Sequence, residues 1–202
     1  MTLIELFNRH TPEEIYAQLR LIAKDLQIPQ DPLTATPTPA AVMIPLIEHS
    51  EPTILLTQRT IHLSSHPGQI SFPGGRMDPT DIDLTACALR ETQEEVGISA
   101  DKIVVATDLG LWPSYTGYVV KPFIGIIKPP VEYTPCSYEV AEIFEVPLSV
   151  IRDLSRYELV HKAEPITHHY YQLVYQDKVI WGLTAGLLRL LAAYLAPSFA
   201  TP

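Results

Sequence analysis

RETQEEVGI, running from Arg90 to Ile98, places three carboxylates, Glu91, Glu94 and Glu95, within five positions beside an arginine and ahead of a glycine. The segment from Leu84 to Val96 has the pattern of a helix, with Gly97 placed to cap its C-terminus. On a helix the i, i+3, i+4 spacing gathers the three carboxylates into about a third of the circumference. Thr85, Leu89, Thr92 and Val96 collect on another face, the expected buried stripe. Like charges so spaced cost a helix a few tenths of a kcal/mol, roughly. The dipole at a helix C-terminus disfavours them further, and no lysine stands at i±4 to relieve them. A cluster tolerated under these conditions predicts a bound divalent cation rather than a solvated acidic face. Carboxylate oxygens suit hard ions such as Mg²⁺ or Mn²⁺, not zinc.

Upstream, Ile61 to Asp83 (IHLSSHPGQISFPGGRMDPTDID) is too rich in Gly and Pro for regular structure and too long for filler. It is a candidate functional loop. DPTDID within it lacks the spacing and the turn glycine of an EF-hand calcium loop. Before it, AAVMIPLIE and PTILLTQRT have the length and β-branching of strands, joined by HSEP as a hairpin. Further back lies IPQDPLTATPTPA, Ile28 to Ala40, whose prolines exclude a helix or a central strand. Residues 3–26 read as an amphipathic helix pair, with Thr11, Pro12 and Glu14 as N-terminal signals.

Downstream, KIVVATDLGLW and YVVKPFIGIIKPP are strands flanking the loop PSYTG. EVAEIFEVPLSVIRDLS is a strand turning into a helix, HHYYQLVYQ and KVIWG are a strand pair, and Leu183 to Leu195 is a last helix. Adjacent His168 and His169 point to opposite faces of their strand and are poor joint metal ligands. The whole predicts one α/β sandwich: a helical extension over 1–30 and a single domain over 31–202.

The chain has 202 residues, a net charge of −9, an apolar fraction of 47% and a charged fraction of 18%, which bounds it to one sizeable globular domain. Without a basic run there is no nucleic-acid surface. An anionic substrate must find its countercharge locally. Cys87 and Cys136 match no zinc spacing and are expected as buried thiols. LTAGLLRLLAAYLA is interrupted by Arg189 and too short to span a bilayer, so the expected location is the cytoplasm. The oligomeric state stays open, a homodimer included.

With the loop included, GGRMDPTDIDLTACALRETQEEVGI resembles the Nudix box, G-x5-E-x7-R-E-U-x-E-E-x-G-U, where U is a bulky aliphatic residue. Arg90, Glu91, Glu94, Glu95, Gly97 and Ile98 match it, and Thr92 replaces an aliphatic. Asp81 stands at the early Glu position, with one residue too many before Arg90. LLTQRTIHLSSHPGQISFPGG, Leu55 to Gly75, resembles the segment before the box in the coenzyme A pyrophosphatases of that superfamily. The loop with Ser114, Thr116, Gly117 and Tyr118, and IWGLTAG at Ile180 to Gly186, are similar to the same branch.

The resemblance implies an α/β/α Nudix sandwich with a mixed β-sheet, which hydrolyses the diphosphate of coenzyme A or an acyl-CoA. The products would be (acyl) 4'-phosphopantetheine and adenosine 3',5'-bisphosphate. Glu91, Glu94 and Glu95 are then the metal ligands, joined by the Gly75 carbonyl, for Mg²⁺ or Mn²⁺. Glu94 is the first candidate for general base and Glu142 the second. Arg90 is expected to orient a box glutamate. Asp81 is either the early box acid or a carboxylate at the helix N-terminus. Arg59, Arg76 and His66, together with Ser114, Thr116 and Tyr118, are candidate substrate contacts. Two rivals remain: a Nudix pyrophosphatase acting on ADP-ribose or another nucleoside diphosphate derivative, and a silent nucleotide-binding module on the same fold.

Overall fold

The computed structural model describes residues 37–114, 117–162 and 168–195. The predicted N-terminal helices over 3–26 and the extension over 1–30 lie outside the described residues. Strand β1 (Thr38–Ile47) is the centre of the fold. It runs parallel to β7 (Tyr118–Ile127) from Thr38↔Tyr118 to Ile47↔Ile127. On its other side it pairs antiparallel with β2 (Thr53–Arg59) at Leu46↔Ile54 and Ile47↔Thr53, closing the predicted hairpin. Further along that side its partner is β4 (Gly74–Arg76). Strands β3 (Ile70–Ser71), β5 (Ile103–Asp108), β6 (Trp112–Pro113) and β8 (Val140–Pro147) complete a mixed sheet.

Strands β1 and β7 are apolar at nearly every position because both faces of the sheet are covered at its centre. Ala41, Met43, Leu55, Phe123 and Ile127 point to one side, against Cys87, Ala88 and Val96 of helix α1 (Leu84–Val96). Ile44, Leu46, Ile54, Ile124 and Ile126 point to the other. There they meet helices α2 (Leu148–Arg152) and α3 (Gly182–Tyr194) and a second, antiparallel sheet. That sheet is β9 (Tyr157–Lys162), β10 (His168–Tyr175) and β11 (Lys178–Trp181). The result is the expected α/β sandwich with a mixed sheet.

Two readings of the sequence change. The proline-rich link gives up its last three residues to β1, which starts at Thr38 and is central. Pro39 is accommodated as the second residue of the strand, where its carbonyl accepts the Met77 N–H at 3.0 Å. The irregular segment from Ile61 to Asp83 contains β3 and β4, so its FPGG turn is stitched to the central strand by the register Ala40↔Arg76, Ala41↔Gly75 and Val42↔Gly74. This ladder fixes the turn beside α1.

Candidate active site

Helix α1 begins and ends where local chemistry dictates. Asp83 is its N-cap and accepts the Ala86 N–H at 2.7 Å, so the helix-terminal carboxylate is Asp83 rather than Asp81. At the other end Gly97 takes φ 78° and donates its N–H to the Gln93 carbonyl. Thr134 and Cys136 donate backbone N–H groups to the Val96 and Glu95 carbonyls, at 2.9 and 3.0 Å. The loop before β8 therefore satisfies the orphaned carbonyls of the helix end.

The buried stripe of α1 differs in part from the one predicted. Thr92 and Val96 are buried, but Cys87, Ala88 and Glu95 take the other buried positions, and Thr85 and Leu89 are only half-buried. The three glutamates consequently separate. The side chain of Glu95 is 6% exposed, that of Glu91 16% and that of Glu94 59%. Glu95 Oε2 has no hydrogen-bond partner among the described residues, and Oε1 stands 3.8 Å from Arg59 Nη1. Desolvation and the neighbouring Glu91 charge push the Glu95 carboxyl up to about 8, against Arg59 and the Gly74 backbone. Burial also raises Glu91, which Arg90 opposes.

Arg90 is the organiser of the acidic groups. Its Nε and Nη2 fork the two oxygens of Asp81, each at 2.9 Å, and its Nη1 reaches Glu91 Oε1 and Glu94 Oε2, each at 2.9 Å. The bidentate hydrogen bond with Arg90 holds Asp81 down at about 2. So a cation does stand at i−4 of Glu94, an arginine rather than a lysine. Its fork cannot be reproduced by an ammonium group. Arg90→Lys is expected to release Glu91 and to weaken Mn²⁺ binding ~10–100-fold, measured by Mn²⁺ titration, with the fold retained.

No three His, Cys, Asp or Glu side chains among the described residues converge in a finished cation cage. The donors nevertheless suit a hard divalent ion. Glu95 Oε2 is buried and unpartnered, with the carboxylate of Glu91 as its neighbour in charge. A Cβ on Gly75 would lie 2.5 Å from Glu91 Oε1, so the turn backbone presses directly on that carboxylate. Cys87 is close by, its Sγ 3.7 Å from the Gly75 carbonyl, but burial raises its thiol to about 11 and makes it a poor thiolate donor.

A cleft of about 470 Å³ opens against this arrangement, on the α3 side of the main sheet. Arg59, His66, Gln69, Gly74, Gly75 and Arg76 are among its lining residues, as are Ser114 and Tyr118. The glutamates do not line it. They touch residues that do: Gly75 lies against the Glu91 carboxylate, and Arg59 Nη1 stands 3.8 Å from Glu95 Oε1. Thr116 lies outside the described residues. Glu142 is not among the lining residues either, because Lys178 of the β10–β11 hairpin engages its Oε2 at 2.5 Å.

Some of the site is not evident from motifs. Glu139, carried in by the loop that caps α1, contributes a negative field to both Glu91 and Glu95. The bulky apolar and aromatic part of the lining comes from Trp112, Val120, Tyr170, Trp181, Leu183 and Leu187. His169 also reaches the cleft, and its cross-strand partner is His161, with Nδ1 atoms 2.5 Å apart, not the adjacent His168. Only the stretch around Trp181 carried a signal, through IWGLTAG.

A profile of the NUDIX domain matches residues 36–170. A protein of Enterobacter sp. (strain 638) named "Uncharacterized Nudix hydrolase NudL" is 44% identical over 154 residues, 76% of this chain and 80% of that protein. A namesake in Yersinia pestis (strain Pestoides F) is 44% identical over 161 residues, 79% of this chain and 80% of its own length. Among solved structures, the MutT protein from Methanosarcina mazei Go1 aligns over 59% of this chain and 83% of its own, with 24% identity and a TM-score of 0.48. The chain belongs to the Nudix family and is a Nudix pyrophosphatase. No described helix is long and apolar enough to cross a membrane.

Proposed function

We propose that the protein hydrolyses the diphosphate linkage of coenzyme A or an acyl-CoA, releasing (acyl) 4'-phosphopantetheine and adenosine 3',5'-bisphosphate. The observation that carries the reaction is the buried Glu95 oxygen without a partner among the described residues, beside Glu91, whose carboxylate presses on the Gly75 turn that lines the cleft. Support for coenzyme A comes from the Leu55–Gly75 segment, whose Arg59, His66, Gln69, Gly74 and Gly75 all line the cleft.

Glu91, Glu94, Glu95 and the Gly75 carbonyl would hold Mg²⁺ or Mn²⁺. Such an ion neutralises the diphosphate and makes water a stronger acid. The chain's own groups then divide the work. Arg90 keeps Glu91 and Glu94 in place while Asp81 fixes Arg90. Glu94, the most exposed of the three, takes the proton of the attacking water. Glu142 drops out of that role because Lys178 holds it. Arg59 and Arg76 meet the phosphates, with His66, Ser114 and Tyr118 along the same wall. Water oxygen bonds to one phosphorus, the bridging P–O bond breaks, and the second phosphate leaves as a monoester.

The test is incubation with CoA, ADP-ribose and NADH, each with Mg²⁺ or Mn²⁺, followed by separation of products. Formation of adenosine 3',5'-bisphosphate from CoA is the expected result. Turnover of ADP-ribose without turnover of CoA refutes the substrate assignment.

A further inference from the structure

His161 of β9 and His169 of β10 are direct partners in the antiparallel ladder of the second sheet. Alternation puts both on its inner face. There Tyr171 and Leu173 follow His169 into the core, and Tyr157 and Leu159 pack against that core ahead of His161. The two imidazoles lie where this packing ends, His161 exposed and His169 half-buried along the cleft. Their rings meet edge to face with centroids 4.4 Å apart, and the Nδ1 atoms approach to 2.5 Å. A hydrogen bond between them needs a proton on one Nδ1 and a lone pair on the other. With both protons on Nε2, two lone pairs converge on one point instead.

That arrangement is close to a chelate. Imidazole nitrogens bind zinc at about 2.0–2.1 Å, so two of them on one ion lie about 2.9–3.4 Å apart at square-planar to tetrahedral angles. The pair reaches this spacing by opening about an ångström or less, a side-chain adjustment that leaves the ladder in place. Imidazole suits Zn²⁺, Ni²⁺ and Cu²⁺, whereas Mg²⁺ takes oxygen ligands. Among the described residues no third His, Cys, Asp or Glu completes a cage, so the ion's remaining positions fall to water.

We infer that His161 and His169 form a second metal site, chelating one borderline divalent ion of the Zn²⁺, Ni²⁺ and Cu²⁺ class through their Nδ1 atoms. The bound ion ties β9 to β10 beside the cleft. This site is separate from the glutamates, whose oxygens select harder ions, and it does not depend on the diphosphate reading.

Calorimetric titration of Zn²⁺ into the full chain, with excess Mg²⁺ to occupy the carboxylates, tests it. A Zn²⁺ site is expected to persist in the excess Mg²⁺. His161→Ala and His169→Ala should each weaken it ~100-fold, the upper end of what loss of even an outer-shell partner costs. His66→Ala, which removes another histidine of the cleft, and Cys136→Ser should leave it unchanged. Affinity that survives either substitution of the pair overturns the inference, as does its loss in His66→Ala or Cys136→Ser, or displacement of Zn²⁺ by Mg²⁺. Electron paramagnetic resonance of Cu²⁺ bound to the unaltered chain gives a reading that needs no variant to fold. Splitting from two imidazole nitrogens is the expected spectrum, and one from oxygen ligands alone overturns the site.

Discussion

Glu95→Gln is expected to lower kcat by about a thousandfold or more, because a carboxylate proposed to hold the divalent ion is lost and with it several kcal/mol of charge stabilisation, roughly. The same substitution should leave the metal-free fold intact or strengthen it. The native carboxyl sits 6% exposed with one oxygen unpartnered, and its ionised form is penalised by burial and by Glu91. The sign of the pH effect follows. Between the ordinary value of 4.5 and about 8, the folded chain retains a proton that the unfolded chain has released. Stability of the metal-free native protein therefore falls as pH rises through that window, and Glu95→Gln removes this part of the fall. Melting curves at pH 5, 6.5 and 8, with and without Mg²⁺, check it. Mg²⁺ should raise the native Tm increasingly with pH, since the ion competes with that proton. A variant that unfolds, together with a native protein indifferent to Mg²⁺, would mean the acidic cluster is only a helix face.

Gly75→Ala is the second large effect, and its neighbour supplies the control. The added Cβ would meet the Glu91 carboxylate at 2.5 to 2.8 Å. That carboxylate is the far end of a flexible side chain, so Glu91 moves and the backbone stays. Displacing a positioned group by about an ångström costs on the order of a hundredfold in rate. Loss of kcat with a Tm close to native is the expected outcome. Gly74→Ala instead drives its Cβ into the backbone of β1, 2.7 Å from the Val42 Cα, at a φ of 157°. It should destabilise by about 1–3 kcal/mol, read by urea unfolding. Equal stability losses in the two variants, with the activity of the folded fraction preserved in Gly75→Ala, would remove Gly75 from the site.

How much of this was legible follows the range of the interactions. The bounds of α1 and its Gly97 cap were readable because caps and periodicity are local. The hairpin of β1 and β2 was readable for the same reason. The spacing put Glu91 and Glu94 within reach of one arginine, Arg90. It could not say that Glu95 would be buried and Glu94 exposed, since that depends on how small Cys87 and Ala88 let the helix settle on the sheet. Asp81 was ambiguous until the fold brought Arg90 to it across nine residues of sequence. Glu139 had no local signature, nor had the bulky part of the cleft lining outside IWGLTAG. They arrive through a loop bonded to a helix end and through a second sheet, of which β9 went unread because the charges in YELVHK mask its alternation.

The alternation of β1 gives this fold a division of labour. Ala41 and Met43 belong to the packing beneath α1, while Ala40 and Val42 form the floor of the cleft. One strand thus packs beneath the glutamate helix with its odd-numbered residues and lines the cleft with its even-numbered ones. If the cleft is the substrate site proposed above, substitutions of a single parity can redraw the substrate range. The glutamates, held from the opposite face by Arg90 and the FPGG turn, would keep their chemistry through every such change.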